Sequence, residues 1–370
     1  MPNNPERFEI FLVCPPGLEE WLAGEAVANR FSAPKAVPGG VVFQGRLQDA
    51  WRANLCLRGA TRVLLRIAGF RAVHLAKLAK RLQQIDWRRH FVPGSVIRVD
   101  ASAQQSRIYH TGAARERLAK ALEAAGFTVR DEAPFSVRLR LVDDFCTVSL
   151  DTSGTPLFKR GYKEGVAKAP LRENLAALFL RACGFSADEP VLDPMCGSGT
   201  FVIEAATMAA GLMPGRSRHF AFEEFASFDA ELWQAIQDKS GTGRAVEPVF
   251  FGFDRDAGAI GLAKANAERA GCGGFAAFTE QAVSAFAPPV PGPGLIMVNP
   301  PYGERVGDPA QLTNLYRALG HVLKERFTGW RLGLVTNDGK LANAVGLGLK
   351  ATTGPVDHGG QKIRLYRANL

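Results

Sequence analysis

The chain has 370 residues, 46% of them hydrophobic, a mean hydropathy of −0.04 and a formal net charge of +9. That length supports two domains and a sizeable core. No stretch approaches the roughly 20 apolar residues of a membrane span, and the start Met1-Pro2-Asn3-Asn4-Pro5-Glu6 lacks the basic and apolar runs of a signal peptide, so a cytoplasmic protein is expected.

In chain order, residues 8–14 read as a strand stopped by Pro15-Pro16-Gly17, and a helix follows with Leu18, Trp21, Leu22 and Val27 on one face. A turn at Val37-Pro38-Gly39-Gly40 leads into a strand at 41–43, then a helix over 47–57 and a strand over 62–68. Helix 73–84, strand 95–100, helix 111–125 and a strand pair at 135–142 and 145–151 complete one or two small α+β units before about residue 155. Beyond it the texture changes to strand–helix alternation: helix 170–183, strand 189–193, helix 200–210, strand 248–253, helix 256–270, strand 275–279, strand 294–298, helix 310–327 and strand 330–336. That pattern predicts a parallel sheet with helices on both faces. Residues 212–247 fit the alternation poorly and read as an insertion bearing short helices.

Charge divides the same way. Residues 1–150 hold 22 Lys/Arg against 14 Asp/Glu, whereas 151–370 hold 23 against 22. Residues 51–100 alone carry 11 basic side chains against Asp86 and Asp100. A concentrated basic surface releases counterions from a polyanion's phosphates, although a basic run by itself is as often a solvated face. The six cysteines (Cys14, Cys56, Cys146, Cys183, Cys196, Cys272) and the six histidines are scattered, which argues against a metal site or a disulfide framework.

Three motifs carry chemistry. Asp193-Pro194-Met195-Cys196-Gly197-Ser198-Gly199-Thr200 lies between a strand and a helix. Its glycines permit positive φ and close approach of a ligand, and the helix start offers unpaired N–H groups. Val202 stands where a dinucleotide fingerprint needs its third glycine, and no Lys-Ser/Thr follows for a phosphate-cradling loop. An acid at the strand end suits a ligand with an ammonium group, such as the methionine moiety of S-adenosylmethionine; the same turn also serves as a plain tight loop. Phe251-Gly252-Phe253-Asp254 ends the next strand, where Asp254 can accept both hydroxyls of a ribose or merely flank a helix, with Asp256 as that helix's cap.

The third motif, Asn299-Pro300-Pro301-Tyr302, fixes a rigid turn at the carboxyl edge of a strand, the edge at which open α/β sheets bind ligands. An exocyclic amine on a base is a poor nucleophile because its lone pair is delocalised into the ring. Asn299 Oδ1 and the Pro300 carbonyl can each accept one N–H, turning that lone pair out of plane, and Tyr302 can stack on a base flipped into the pocket. Methyl transfer is then an in-line displacement governed by geometry. Asn299, Pro300, Pro301 and Tyr302 are therefore the candidate catalytic residues. Asp193, Met195, Cys196, Gly197, Ser198, Gly199, Thr200, Asp254, Gln281 and Asn299 are the candidate cofactor contacts, with no metal.

Together these residues resemble the THUMP-domain class I RNA methyltransferases, and among them the bacterial enzymes that form N2-methylguanosine in 23S rRNA. The likeness runs through Pro16-Gly17-Leu18-Glu19, Arg62-Val63-Leu64-Leu65-Arg66, Ile85-Asp86-Trp87, Tyr109-His110-Thr111-Gly112, Lys159-Arg160-Gly161-Tyr162, Ala169-Pro170-Leu171-Arg172-Glu173-Asn174 and Gly303-Glu304-Arg305. It implies a ferredoxin-like region at 1–60, a THUMP RNA-binding domain at 61–155 and a Rossmann-like class I methyltransferase domain at 156–370. S-adenosylmethionine would be the cofactor, and structured RNA, rRNA or tRNA, the partner. One departure stands out: Ala282 occupies a position where the family usually has an acid for the adenine amine, so Gln281 or a backbone group would serve instead. In many relatives a second methyltransferase domain follows; with the chain ending at Leu370, only the guanine-N2 type of unit is expected. The alternatives are a tRNA guanine-N2 methyltransferase, an adenine-N6 methyltransferase, and a non-catalytic RNA-binding assembly factor.

Overall fold

A computed structural model describes residues 6–164, 171–241, 243–244, 246–247, 249–302 and 309–370. Ala169, Pro170 and Gly303-Glu304-Arg305 lie outside the described residues. The chain forms two compact units: residues 1–14, 25–157 and 218–240 make the first, and 15–24, 158–217 and 241–370 the second.

The first unit is built on one eight-stranded sheet. In chain order it contains β1 (Phe8–Val13), α1 (Glu19–Ala28), whose first turns fall in the other unit, β2 (Lys35–Val37), β3 (Gly40–Gly45), α2 (Leu47–Cys56), β4 (Arg62–Arg71), α3 (Leu75–Gln83), β5 (Val96–Gln104), α4 (Thr111–Ala124), β6 (Thr128–Val129), β7 (Phe135–Val142) and β8 (Phe145–Asp151). The order is β2-β3-β1-β4-β8-β7-β5-β6, antiparallel except where β5 pairs with β6 and β7. Sequence alternation sets the faces. Val63 and Leu65, Val137 and Leu139, and Ile97 and Val99 are buried, while a row of polar residues crosses the other face: Glu9, Arg66, Ser149, Arg138 and Asp100 on successive strands. The strands expected before and after residue 60 thus share one sheet through the β1–β4 pairing.

The second unit opens with α5 (Glu173–Ala182), β9 (Val191–Asp193) and α6 (Thr200–Ala209). The stretch 212–247 does interrupt this unit and bear short helices, at Ala221–Glu224 and Ala230–Lys239, as expected, but most of it does not pack with this unit. Residues 218–240, including α7 (Ala230–Lys239), belong to the first unit. Phe222 stacks on Trp51 at 5.3 Å and meets Trp233 edge-on, while Phe225 packs edge-on against both Phe91 and Phe135. The bulk of these rings, each burying some 150–250 Å², accounts for the excursion.

The chain then continues through β10 (Phe250–Asp254), α8 (Ala257–Arg269), β11 (Ala276–Glu280), β12 (Leu295–Val298), α9 (Pro309–Arg326), β13 (Arg331–Thr336), α10 (Gly339–Ala344), β14 (Lys350–Ala351), β15 (Val356–His358) and β16 (Gln361–Asn369). The sheet order is β11-β10-β9-β12-β13-β16-β14, parallel from β11 to β13, with β16 antiparallel to β13. The chain runs outward from β9 through β10 to β11, then restarts on the opposite side at β12. The carboxyl ends of β9 and β12 therefore flank the topological switch point, where open α/β sheets bind ligands. Among the described residues no helix is long and apolar enough to cross a membrane.

Candidate active site

Parallel pairing brings the three motifs to one edge. Leu192 lies beside Phe251 on one side and Ile296 on the other, so Asp193, Asp254 and Asn299 all leave the sheet at its carboxyl end. The turn after β9 is shaped by its glycines: Gly197 has φ +51° and Gly199, the residue before α6, φ +85°. A side chain at Gly199 would also press on the Phe278 ring, 3.0 Å from a Cβ there. The turn is pinned from three directions. Gly197 N donates to Asp254 Oδ2 at 2.9 Å, Cys196 N to the Phe253 carbonyl at 2.9 Å, and Asn266 Nδ2 to the Ser198 carbonyl at 3.1 Å.

Asp193 is 2% exposed, and its Oδ1 accepts the Met195 N–H at 3.0 Å. Burial, with the charge of Asp254 added, pushes its carboxyl well above the usual carboxylate range. A buried acid of this kind is poised for a cationic group, whose arrival would restore the charged form. Cys196 is not a nucleophile: burial, then Asp193 and Asp254, push its thiol well up, so it stays protonated. Asp254 has one oxygen on Gly197 and the other on Asp256 N at 3.0 Å, while Asp256 caps α8 through Gly258 N and Ala259 N at 2.8 and 3.2 Å, as expected.

Asn299 follows β12 directly. Its Oδ1 is buried and has no hydrogen-bond partner among the described residues. Pro300 is buried, and the Pro301 carbonyl accepts the Tyr316 hydroxyl at 3.3 Å. Tyr302 is 9% exposed, and burial pushes its hydroxyl up to about 12, so it stays neutral. Gln281 follows β11; its N–H donates to the Asp254 carbonyl at 2.8 Å and its Nε2 to the Ala285 carbonyl at 2.8 Å. Gln281 directly precedes the Ala282 position that lacks an acid. Met195, Ser198 and Thr200 all lie on the β9–α6 turn, so every candidate residue gathers at the one sheet edge.

Sequence patterns missed several participants. Lys163 Nζ donates to Thr200 Oγ1 at 2.8 Å and to the Leu171 carbonyl at 3.1 Å, and lies 3.3 Å from Glu173 Oε1, which sets a cation at the start of α6. Arg160 and Tyr162, which the resemblance had already singled out within Lys159-to-Tyr162, are buried against Glu204. Tyr316 on α9 also reaches Thr336 Oγ1 at 3.4 Å, tying the Pro301 turn to the end of β13. Gly252 is required by close approach: a Cβ there would lie 2.6 Å from the Phe278 ring and 3.0 Å from Cys196 Sγ. A glycine inside an apolar strand was the available signal for the last. The others are pairings distant in sequence, for which no local pattern exists.

The family model described as RMKL-like, methyltransferase domain, matches residues 160–354, and that of the RlmL ferredoxin-like domain matches residues 9–64. The ribosomal RNA large subunit methyltransferase K/L of Methylococcus capsulatus is 38% identical over 360 residues, 93% of this chain and 49% of the relative. The chain thus spans about half the length of the first curated relatives it matches. A candidate RNA methyltransferase of Synechocystis sp. is 29% identical over 365 residues, 96% of this chain and 94% of the relative. A crystal structure of SMU.472, a candidate methyltransferase complexed with SAH, superposes with a TM-score of 0.87 at 27% identity, covering 98% of each chain.

Proposed function

The chain belongs to the RMKL-like methyltransferase family, and from that premise we propose that it is an S-adenosylmethionine-dependent RNA methyltransferase forming N2-methylguanosine in large-subunit rRNA. The observation that carries the reading is the buried Asn299 Oδ1 at the switch point, which has no hydrogen-bond partner among the described residues. A buried acceptor without a donor costs about 1–3 kcal/mol, and an amine presented there would satisfy it.

The residues fit the cofactor. The buried acid Asp193 suits its ammonium, the N–H groups at the start of α6 with Lys163 suit its carboxylate, and Asp254 suits its ribose. Gln281 or a backbone group beside it would accept from the adenine amine, the role that Ala282 leaves open. Met195, Cys196, Gly197, Ser198 and Gly199 shape the wall between them. When bound, the cofactor supplies an electrophilic methyl group on a sulfonium. The protein's own part is orientation. Asn299 Oδ1 and the Pro300 carbonyl hold the two amine hydrogens, directing the nitrogen lone pair out of the ring plane. Tyr302, neutral throughout, gives the base an apolar wall, and Pro301, held by Tyr316, keeps the turn from relaxing. No strong base is needed because the methylated amine loses its proton readily to water.

The basic part of the chain before residue 155, with 61–155 as a THUMP-type module after a ferredoxin-like region at 1–60, would hold the folded RNA. The RlmL-type match over 9–64 and the K/L relatives named for rRNA support that assignment, and a cytoplasmic location follows from such a substrate. The test is to incubate the purified chain with labelled S-adenosylmethionine and 23S rRNA or tRNA transcripts and to identify the product nucleoside by mass spectrometry. N2-methylguanosine in 23S rRNA is expected. N6-methyladenosine would overturn the base assignment, N2-methylguanosine in tRNA alone would overturn the substrate, and cofactor binding with no nucleoside methylated would overturn the reading.

A further inference from the structure

The carboxyl edge of the second sheet continues past β12 to β13 and β16, where two amide side chains meet that the candidate site leaves unused. Asn337 follows β13 directly, and its Nδ2 donates at 3.3 Å to Oε1 of Gln361, the first residue of β16. Both are held by rigid neighbours. Thr336 Oγ1 accepts the Asp338 N–H at 3.2 Å, and Asp338 Oδ1 caps α10 through Lys340 N at 2.7 Å, so Asn337 sits between two pinned residues. Gln361 pairs with His358 across a two-residue turn, Gly359-Gly360, whose φ values of +58° and +82° are those of a tight hairpin.

This corner adjoins the Asn299 turn. Val298 is in register with Leu334, so the strand ends that carry Asn299 and Asn337 leave the sheet side by side. The Tyr316 hydroxyl lies 3.4 Å from Thr336 Oγ1 and 3.3 Å from the Pro301 carbonyl, which ties the two strand ends together. The cofactor turn occupies the β9 side of Asn299, so a base whose amine sits on Asn299 has the β13 side left to it. A bond between an exposed and a half-buried amide competes with water and contributes little to stability. What the bond does is fix which end of each amide stays open: Asn337 Oδ1, an acceptor, and Gln361 Nε2, a donor, neither with another side-chain partner among the described residues.

That pair of open ends distinguishes the bases. Guanine presents in a row its 2-amine, the N1–H and O6: two donors, then an acceptor. Adenine has beside its 6-amine only the unprotonated N1, an acceptor. With the amine on Asn299 Oδ1 and the Pro300 carbonyl, guanine needs one more acceptor and one donor, whereas adenine N1 would face Asn337 Oδ1 acceptor to acceptor. We infer that Asn337 and Gln361 select guanine, Asn337 Oδ1 accepting from N1–H and Gln361 Nε2 donating to O6 of the flipped base. The pair has this role only under the guanine-N2 reading given above, to which it adds the residues that choose the base.

The experiment uses the full chain, labelled S-adenosylmethionine and a 23S rRNA transcript whose methylated guanine, once mapped by mass spectrometry, is replaced through ligation by 2-aminopurine. That base keeps the 2-amine but has neither N1–H nor O6. Wild type is expected to favour guanine in kcat/KM by about tenfold or more. Asn337→Ala and Gln361→Ala should each lose about tenfold on guanine and nothing on 2-aminopurine, so that the preference shrinks to less than about threefold. Because neither side chain is buried, SAH titration should be unchanged in both variants. Equal losses on the two bases would assign the pair to holding the strand ends and overturn the inference, as would variants that keep full activity on guanine. Wild type indifferent to the replacement overturns it too, while the guanine-N2 reading stands. No N2-methylguanosine formed by a chain that binds SAH overturns that reading and the inference together.

Discussion

Asn299→Ala separates a catalytic asparagine from a structural one. A buried acceptor left unpaired costs the fold about 1–3 kcal/mol, and Asn299 Oδ1 is such an acceptor among the described residues. Truncation removes that cost along with a few packed atoms worth about 1 kcal/mol. The net change should fall between about zero and 2 kcal/mol in favour of the variant, a Tm rise of up to about 6 °C for a unit of this size. Activity should move the other way. Removing one preorganised hydrogen-bonding group at the reacting centre costs about 10²–10³ in kcat. Single-turnover methyl transfer to an rRNA transcript, calorimetric SAH binding and thermal unfolding together read all three quantities. Turnover within tenfold of wild type would refute the amine-orienting role. A Tm drop of more than about 5 °C, with SAH binding lost, would show instead that Asn299 holds the turn together.

Asp193→Asn should show a pH-dependent stability gain. The folded-state carboxyl sits above its unfolded value, so wild-type stability falls as pH rises from about 4 towards the raised value, while the amide is indifferent. The Tm difference should therefore be near zero at acid pH and positive by pH 8, with SAH binding weakened about tenfold or more by loss of a charged partner for the ammonium. Tyr316→Phe removes the hydroxyl shared by Pro301 and Thr336; a stability loss of about 0.5–1.5 kcal/mol with reduced kcat and unchanged SAH affinity is expected. Phe225→Ala, which empties the space against Phe91 and Phe135, should cost about 3–5 kcal/mol and speed hydrogen exchange in β5 and β7. Exchange unchanged in those strands would sever residues 218–240 from the first unit.

Much of the second unit was legible because its requirements are local. Only glycine adopts the φ of +51° and +85° at 197 and 199 without strain, and only a strand end can present Asp193 and Asp254 side by side on parallel neighbours. Asp256 as a cap is a one-turn decision, and the 2.8 Å bond to Gly258 N bears it out. The final strand was legible but unread: Ile363 and Leu365 are fully buried while Lys362 and Arg364 are exposed, a plain period of two. Residues 218–240 were not legible. Phe220, Phe222, Phe225, Phe228 and Trp233 follow neither period, and the surfaces that order them, Trp51 and Phe91, lie more than a hundred residues earlier. The Lys163–Thr200 and Tyr316–Pro301 contacts are of the same kind, since each is decided by packing of distant segments.

The features that resist a stability argument are the ones that favour a ligand. The fold buries Asp193 where its charge is disfavoured, leaves Asn299 Oδ1 unpaired among the described residues, and keeps glycine at 252, where any Cβ would collide with Phe278 and Cys196. Neither the buried charge at 193 nor the acceptor at 299 improves the protein alone, and an apolar residue at 299 would fold at least as well. All of them lie at one sheet edge, next to buried polar groups that are matched, as Asn266 is by Ser198 and Arg269, and Thr336 by Tyr316. Gathered at the switch point, Asp193 and Asn299 Oδ1 both call for a partner that donates hydrogen, which under the proposed function is an ammonium on the β9 side and an N–H-bearing base on the β12 side. A non-catalytic assembly factor would have no reason to keep both, and that favours the enzyme over the binding protein.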